Sequence, residues 1–318
     1  MAFDQRAADS DKIWASLITN LNYLPGLLTL HHSLQTVKTE FPFVALYTES
    51  FPESGRKALA ARNIPSQLVP HLQPSSSRDY SKSDPRFNDT WTKLVVFSLT
   101  GYSRVVLLDS DMLLRDNMDE LMGVYLDTPE KAASDPKSPR VLAASHACVC
   151  NPLKKPHYPA EWIPSNCAFT SQHEDPEDAR ITGANPEHLP YNGGLNSGLL
   201  IVQPSVPLYG QIIDYMEAHA SEFVFPDQDL LSNLFHKRWL ALPYTVNALK
   251  TLRWKGVHHT IWRDDWIRNI HYILSPKPWD EINENGEWTG TEETHKWWID
   301  ANNERKAGEK AKGIEDGF

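Results

Sequence analysis

The sequence predicts an α/β protein built on a mainly parallel central sheet flanked by helices. Short apolar runs alternate with helix-spaced stretches through the first half, the pattern of strands joined by helical crossovers. The run Arg104 to Leu108 is apolar without alternation, as befits a strand buried on both faces, and Leu199 to Val202 repeats that pattern. Lys12 to Thr19 reads as the first strand and ends at Asn20. Pro25, whose fixed φ suits a first helical turn, then opens a helix with Leu24, Leu27, Leu28 and Leu34 on one face. Phe43 to Thr48 is a second strand, Glu53 to Arg62 a helix, and Gln67 to Val69 a short third strand. Pro74 to Phe87, polar and serine-rich, reads as a surface loop. Helical spacing returns in Trp91, Leu94, Val95 and Leu99, with Asn88 or Asp89 placed to cap its start. Asp127 to Arg140 and Gln172 to Pro190, rich in Pro, Asp, Glu and Ser, read as loops or insertions, and the charged segment 302–318 as a flexible tail.

Composition excludes several classes. At 41% hydrophobic and 23% charged residues the chain is neither disordered nor fibrous. The formal charge is 31 − 41 = −10 with no basic stripe, so nucleic acid is not an expected partner and any bound phosphate needs a local site. The start is polar and acidic, and no apolar run approaches the ~20 residues of a spanning helix, so a soluble cytoplasmic protein with no membrane partner is expected. Cys148, Cys150 and Cys167 cannot all pair with one another, which fits a reducing compartment. Taken with His146 they offer zinc-type ligands, but H-x-C-x-C is not a usual finger spacing and no zinc site is expected.

The sharpest local feature is Leu107-Leu108-Asp109-Ser110-Asp111, two carboxylates at the carboxyl end of a buried strand. Open α/β sheets bind ligands at that edge. Hard cations such as Mg²⁺ and Mn²⁺ take oxygen ligands, so the pair reads as a clamp for an ion that also meets a substrate diphosphate. Gly193-Gly194 lacks the spacing of a phosphate cradle and reads as a turn or a close backbone approach.

These residues stand in a larger series. Trp91 to Met122, with Thr92-Lys93-Leu94, Tyr102-Ser103, Leu107 to Asp111 and Asn117 to Leu121, resembles the core block of glycosyltransferase family 8, the group of glycogenin and galactinol synthase. Thr19-Asn20 with Tyr23, Pro25 and Gly26 resembles the family's opening block, and Leu195 to Gly198 with Gln203-Pro204-Ser205 its central motif. Asp227 to Leu231, then His271 with Lys277-Pro278-Trp279, complete the series in order, from about Ile13 to Trp298.

The resemblance implies a GT-A (Rossmann-like) nucleotide-diphosphate-sugar transferase fold, one domain over 1–301 with a nucleotide-binding half at about 12–125 and an acceptor and sugar half at about 141–298. It implies retaining transfer of a hexose from UDP-galactose or UDP-glucose to a hydroxyl acceptor. Asp109, Asp111 and His271 would bind Mn²⁺, with Mg²⁺ as the alternative, and Lys277 would meet the leaving diphosphate. Thr19, Asn20 and Tyr23 would surround the uracil, Lys93, Arg86 and Ser110 would contact the nucleotide or sugar, and Asn196, Asp227 and Gln228 would line the hexose. Asp227, Gln228 and Lys277 are thus the catalytic candidates, with Asp229 a second carboxylate in the sugar block. Without the series, Tyr23 reads as a core residue, His271 as a satisfied buried histidine and Lys277-Pro278-Trp279 as a turn packed by its indole.

Within the family the resemblance leans to galactinol synthase, through Cys148 to Asn151 with His157-Tyr158-Pro159, Pro243 to Asn247, and the closing Trp288-Thr289-Gly290 and Lys296-Trp297-Trp298. Trp254 stands where glycogenin carries its self-glucosylated tyrosine, and indole has no hydroxyl to accept a sugar. A small polyol such as myo-inositol is therefore the expected acceptor, with Trp254, His258, His259, Trp262 and Asp265 as its platform. A glycogenin-like enzyme acting on a protein or glycan, and a nucleotide-sugar-binding protein without turnover, are the alternatives. A homodimer stays open.

Overall fold

Runs of Val, Leu and Ile flanked by polar residues supply the strands, and every third or fourth leucine the helices. The structure, a computed structural model, describes residues 4–76, 80, 87–184 and 194–318. In chain order the elements are β1 (Lys12–Ile18), α1 (Leu24–Thr36), β2 (Phe43–Tyr47), α2 (Glu53–Ala61), β3 (Ser66–Leu68), α3 (Phe87–Thr90), β4 (Arg104–Leu108) and β5 (Met112–Leu114). The second half adds α4 (Pro129–Ser134), β6 (Leu142–His146), α5 (Pro176–Ile181), β7 (Leu195–Val202), α6 (Val206–His219), α7 (Pro226–Leu234), β8 (Trp239–Ala241), β9 (Ala248–Leu249), β10 (Asn269–His271) and α8 (Glu293–Ala311).

The large sheet runs β3-β2-β1-β4-β7-β6-β8, and a small one runs β5-β10-β9. Neighbours in the large sheet are parallel except at β7, which runs antiparallel to both β4 and β6, so the expected mainly parallel sheet is present. Alternation along the strands divides the core. Ile13, Ala15, Val105 and Leu107 face one side with Leu208 and Ile212 of α6, while Trp14, Val106 and Leu108 face the other with Leu27, Leu28 and Leu34 of α1.

Several local expectations change, and the stretch Asp127 to Arg140, expected to be a loop, carries the short helix α4. Trp91 to Ser98 winds as a 3-10 helix instead of an α-helix, with Lys93 its one residue not buried. So long a 3-10 run is uncommon and tends to mark function. Of the segment expected to be a flexible tail, 302–311 is instead the second half of α8, and the charges of this helix end and of Asp316 beyond it pair within the protein. Asn302 and Arg305 are buried, Thr29 Oγ1 donates to Asn302 Oδ1 at 3.2 Å, and Arg62 grips Glu309 and Asp316 at 2.7 and 2.6 Å. The loop between Pro74 and Phe87 and the one between Gln172 and Pro190 lie partly outside the described residues, although Pro176–Ile181 within the latter is helical.

Candidate active site

The chain lays down β1, β2 and β3 in one direction across the sheet and then returns to place β4 on the other side of β1. At such a switch point neighbouring strand ends diverge and leave a crevice at their carboxyl edge. β1 and β4 are parallel with Ala15 opposite Leu107, so Thr19 and Asn20 leave the sheet beside Asp109. The residues expected to hold the metal and the UDP-sugar, among the described ones, line a single cavity there: Thr19, Asn20, Tyr23, Lys93, Asp109 to Asp111, Asn196, Asp227, Gln228, His271 and Lys277. Arg86 and Gly193 lie outside the described residues. Helix α1 approaches so closely that a Cβ on Gly26 would sit 2.5 Å from the Ser110 carbonyl oxygen.

Asp109 to Asp111 join β4 to β5, and β5 pairs antiparallel with β10, setting His271 opposite Met112. That register carries an imidazole from far along the chain to the carboxylates. His271 Nε2 lies 3.3 Å from Asp111 Oδ1 and 3.6 Å from Asp109 Oδ2. Gly198 of β7 makes the room, since a Cβ there would fall 2.3 Å from the His271 ring.

The ring's protonation follows from a backbone amide. Gly198 N–H donates to Asn196 Oδ1 at 3.2 Å, which fixes the orientation of that side-chain amide. Asn247 Nδ2 therefore faces the same oxygen, at 2.9 Å, and turns its own Oδ1 toward His271 Nδ1 at 3.0 Å. Nδ1 must then carry the hydrogen, so Nε2 is the nitrogen left to ligate a cation beside the carboxylates. Lys93 spans both oxygens of Asp109, Oδ1 at 2.7 Å and Oδ2 at 3.0 Å, and Lys277 donates to Asp111 Oδ2, while Asp109 Oδ2 and Asp111 Oδ1 also face His271. The three ligand atoms lie within 4.8 Å of one another. Two carboxylate oxygens and an imidazole lone pair form a donor set that fits Mn²⁺ or Mg²⁺ with positions left for a substrate.

The electrostatics favour ionised groups. Burial would raise the Asp111 carboxyl, but the Lys277 ammonium beside it holds it well below the usual carboxylate range. Burial would likewise lower the Lys93 ammonium, yet Asp109 and Asp227 hold it above its usual value. Lys277, itself buried, also donates to the Tyr272 carbonyl at 2.6 Å and stands 5.8 Å from the Tyr23 ring centre.

Across the cavity, Asn196 Nδ2 donates to Gln228 Oε1 at 3.3 Å. Asp227 Oδ2, buried at the start of α7, lies 3.6 Å from Lys93 and accepts no hydrogen bond among the described residues. Asp229 is different. It is not part of the cavity wall, and its Oδ2 accepts from the backbone N–H groups of Val224 and Phe225, both at 2.8 Å. Burial pushes its carboxyl up to about 6, against those two backbone bonds.

Where β1 ends at the cavity, Thr19 Oγ1 donates to Asp89 at 2.9 Å, and Tyr23 packs edge-on against Trp279 at 5.7 Å. The expected acceptor platform is not where the sequence suggested. Trp254, His258, His259, Trp262 and Asp265 do not line this cavity: Trp262 is buried against Tyr244 and His258 against Cys150 and Cys167. The aromatic wall is instead Tyr158, Trp162 and Phe225, with Trp162 and Phe225 stacked at 4.6 Å. The three cysteines do gather, but His146 is not with them and bonds the Ala184 carbonyl.

The profile of Glycosyl transferase family 8 matches residues 15–283. Uncharacterized protein R707 of Acanthamoeba polyphaga mimivirus is 27% identical over 267 residues, 82% of this chain and 79% of that protein. Galactinol synthase 1 of Solanum lycopersicum is 25% identical over 316 residues, 93% of this chain and 83% of that protein. Among solved structures the galactosyltransferase LgtC, in complex with donor and acceptor sugar analogs, superposes with a TM-score of 0.56 at 16% identity, covering 92% of this chain and 95% of that one. The glycosyltransferase GlyE of Streptococcus pneumoniae gives 0.57 at 14% identity over 95% of this chain, which spans only 64% of the GlyE chain. These likenesses show the GT-A fold. Among the described residues no helix is long and apolar enough to cross a membrane.

Proposed function

Because the chain belongs to glycosyltransferase family 8, we propose that it moves a hexose, galactose or glucose, from a UDP-sugar to a hydroxyl of a small polyol with retention of configuration. Myo-inositol is the acceptor this reading names, supported by the likeness to galactinol synthases. The observation that carries the reading is one cavity with two unlike ends. Asp109, Asp111, His271 and Lys277 suit a diphosphate, while Asn196, Asp227 and Gln228 beside the Tyr158–Trp162–Phe225 wall suit a sugar and a polyol.

Asp109, Asp111 and His271 would hold Mn²⁺ or Mg²⁺, which when bound would supply Lewis-acid charge at the diphosphate. The Lys277 ammonium donates to the diphosphate oxygens as the glycosidic bond breaks and negative charge grows there. Tyr23 presents its ring to the base, with Thr19 and Asn20 beside it. Asp227, whose buried oxygen lacks a donor, accepts from a sugar hydroxyl and holds the ring; Gln228 and Asn196 fix its other face. We favour internal return, the acceptor entering on the face that UDP leaves, because Asp227 then serves as a hydrogen-bond acceptor with no covalent role. The unpaired thiols suit a cytoplasmic setting.

Incubation with UDP-galactose or UDP-glucose, Mn²⁺ and myo-inositol, followed by chromatography of the products, tests this. A metal-dependent hexosyl-inositol is expected. Transfer to protein or glycan alone removes the polyol, and a hexosylated Asp227 trapped by mass spectrometry removes internal return. UDP binding by calorimetry with neither hydrolysis nor transfer leaves only a nucleotide-sugar-binding protein.

A further inference from the structure

The three cysteines that the transfer reaction does not use converge on one histidine. Cys148 and Cys150 follow the end of β6, Cys167 lies between two 3-10 turns at Pro164–Asn166 and Ala168–Gln172, and His258 precedes the turn at Asp264–Trp266. His258 Nε2 is 3.1 Å from Cys150 Sγ and 3.3 Å from Cys167 Sγ, and all four ligand atoms lie within 4.8 Å of one another. No disulfide joins the thiols. His258 is fully buried, Cys167 and Cys150 nearly so.

We propose that Cys148, Cys150, Cys167 and His258 bind one Zn²⁺ in a closed structural site. A tetrahedral zinc with sulfur at about 2.3 Å and nitrogen at about 2.0 Å sets neighbouring ligand atoms roughly 3.5 Å apart, so the group closes on the ion by small side-chain shifts. The other ring nitrogen of His258 already faces His173 Nε2 at 2.8 Å, the kind of second partner that orients a metal-bound imidazole. Thiolates are soft ligands and select zinc over the Mn²⁺ or Mg²⁺ that suit the carboxylates of the cavity. Four protein ligands fill the tetrahedron and leave no position for a reacting group. Binding releases the thiol protons to solvent, because the ligand is the thiolate.

The location gives the ion its role. Between β6 and α5 the backbone has only short 3-10 turns, so little regular hydrogen bonding holds this segment in place. Tyr158 and Trp162, which form the aromatic wall with Phe225, lie between Cys150 and Cys167 in the sequence. Zinc pins both ends of that loop to the loop before β10 and so fixes the cavity wall.

The test uses the full chain expressed with added zinc and desalted without chelator, with metal content read by mass spectrometry. About one zinc per chain is expected. The Co²⁺-loaded protein should show thiolate-to-cobalt charge transfer in the near ultraviolet and intense tetrahedral bands in the visible. Cys167→Ser and His258→Ala should lose the zinc. Cys167→His, which keeps a ligand, should retain it with an altered cobalt spectrum, so that loss through misfolding is told apart. The double variant Asp109→Asn, Asp111→Asn should keep its zinc, separating this site from the carboxylate group. Little or no zinc in the wild-type chain, a cobalt spectrum without thiolate charge transfer, or a native disulfide among the cysteines overturns the proposal.

Discussion

At the scale of the residue, the chemistry of the cavity depends on a chain of hydrogen bonds that begins at a backbone N–H and ends at an imidazole. Asn247 is the link that the sequence did not assign to the site; it figures there only as the end of the block Pro243 to Asn247. Asn247→Ala removes the acceptor that holds the hydrogen on Nδ1 of His271, so the ring is free to turn and to change tautomer. Loss of such a partner weakens metal binding about 10–100-fold. The Mn²⁺ concentration giving half-maximal transfer should rise by that factor, with activity recovered at high Mn²⁺; an unchanged Mn²⁺ dependence would remove Asn247 from this role. Lys277→Ala should act on the leaving group instead. Removal of a single preorganised donor lowers kcat by about 10²–10³. A variant with normal kcat and only a raised KM would make Lys277 a ground-state binding group.

At the scale of the element, β7 and α7 bring Asn196, Asp227 and Gln228 into one cavity with Asp109, Asp111 and His271. Gly198 is the point where β7 passes the His271 ring, and a methyl group there must displace the ring or the strand. Overpacking of this kind destabilises by about 1–3 kcal/mol, so Gly198→Ala should lower Tm modestly while greatly weakening Mn²⁺-dependent activity. Equal, small losses of both would show that His271 accommodates the methyl without moving. At the start of α7, Asp229 makes stability depend on pH. Its folded-state carboxyl titrates at about 6 against an ordinary 3.8, so the protein is favoured while this group is protonated. That contribution is complete below about pH 4 and is lost as pH rises toward 6, at most about 3 kcal/mol for a shift of some two units. Asp229→Asn keeps an acceptor for Val224 and Phe225 and removes the charge. Its Tm should exceed that of the wild type above pH 6, with the gap narrowing toward pH 4; a gap independent of pH would refute the assignment.

At the scale of the whole molecule, α8 returns the end of the chain to α1 and α2, near where the parallel half of the sheet began. Arg62 of the α2 end is nearly buried between Glu309 and Asp316, so its loss leaves Glu309 with Arg305 alone and takes from Asp316 the cation it pairs with. Breaking a buried pair by removing one partner costs about 3–5 kcal/mol, and the partial exposure of Asp316 puts Arg62→Ala at the lower end. Urea denaturation should report a loss of about 3 kcal/mol, with UDP binding by the folded protein unchanged. A loss under about 1 kcal/mol would class the cluster with surface ion pairs.

The sequence by itself determined the parallel half of the molecule: β1, α1, β2, α2, β3 and β4 lie within a residue or two of where apolar runs and a helix-opening proline put them, and Asp109 and Asp111 stand at the end of β4. Each of those features is local, a matter of period and of the residue that ends a run. The tertiary structure decided the rest. His271 meets Asp111 only because β10 pairs with β5, and His258 meets Cys167 across 91 residues of sequence through loops without a periodic signal. The same distance hid the wall of Tyr158, Trp162 and Phe225 and sent the expectation to the tryptophan-rich stretch after Trp254, whose aromatic side chains could as well pack the core as line a site. Charge misled in the tail: Arg305 and Glu309 read as solvated until a partner 247 residues away, Arg62, is seen to pair with Glu309. Period and capping act over a few residues, whereas ligand sets and buried ion pairs are formed by contacts that exist only once the chain has closed on itself.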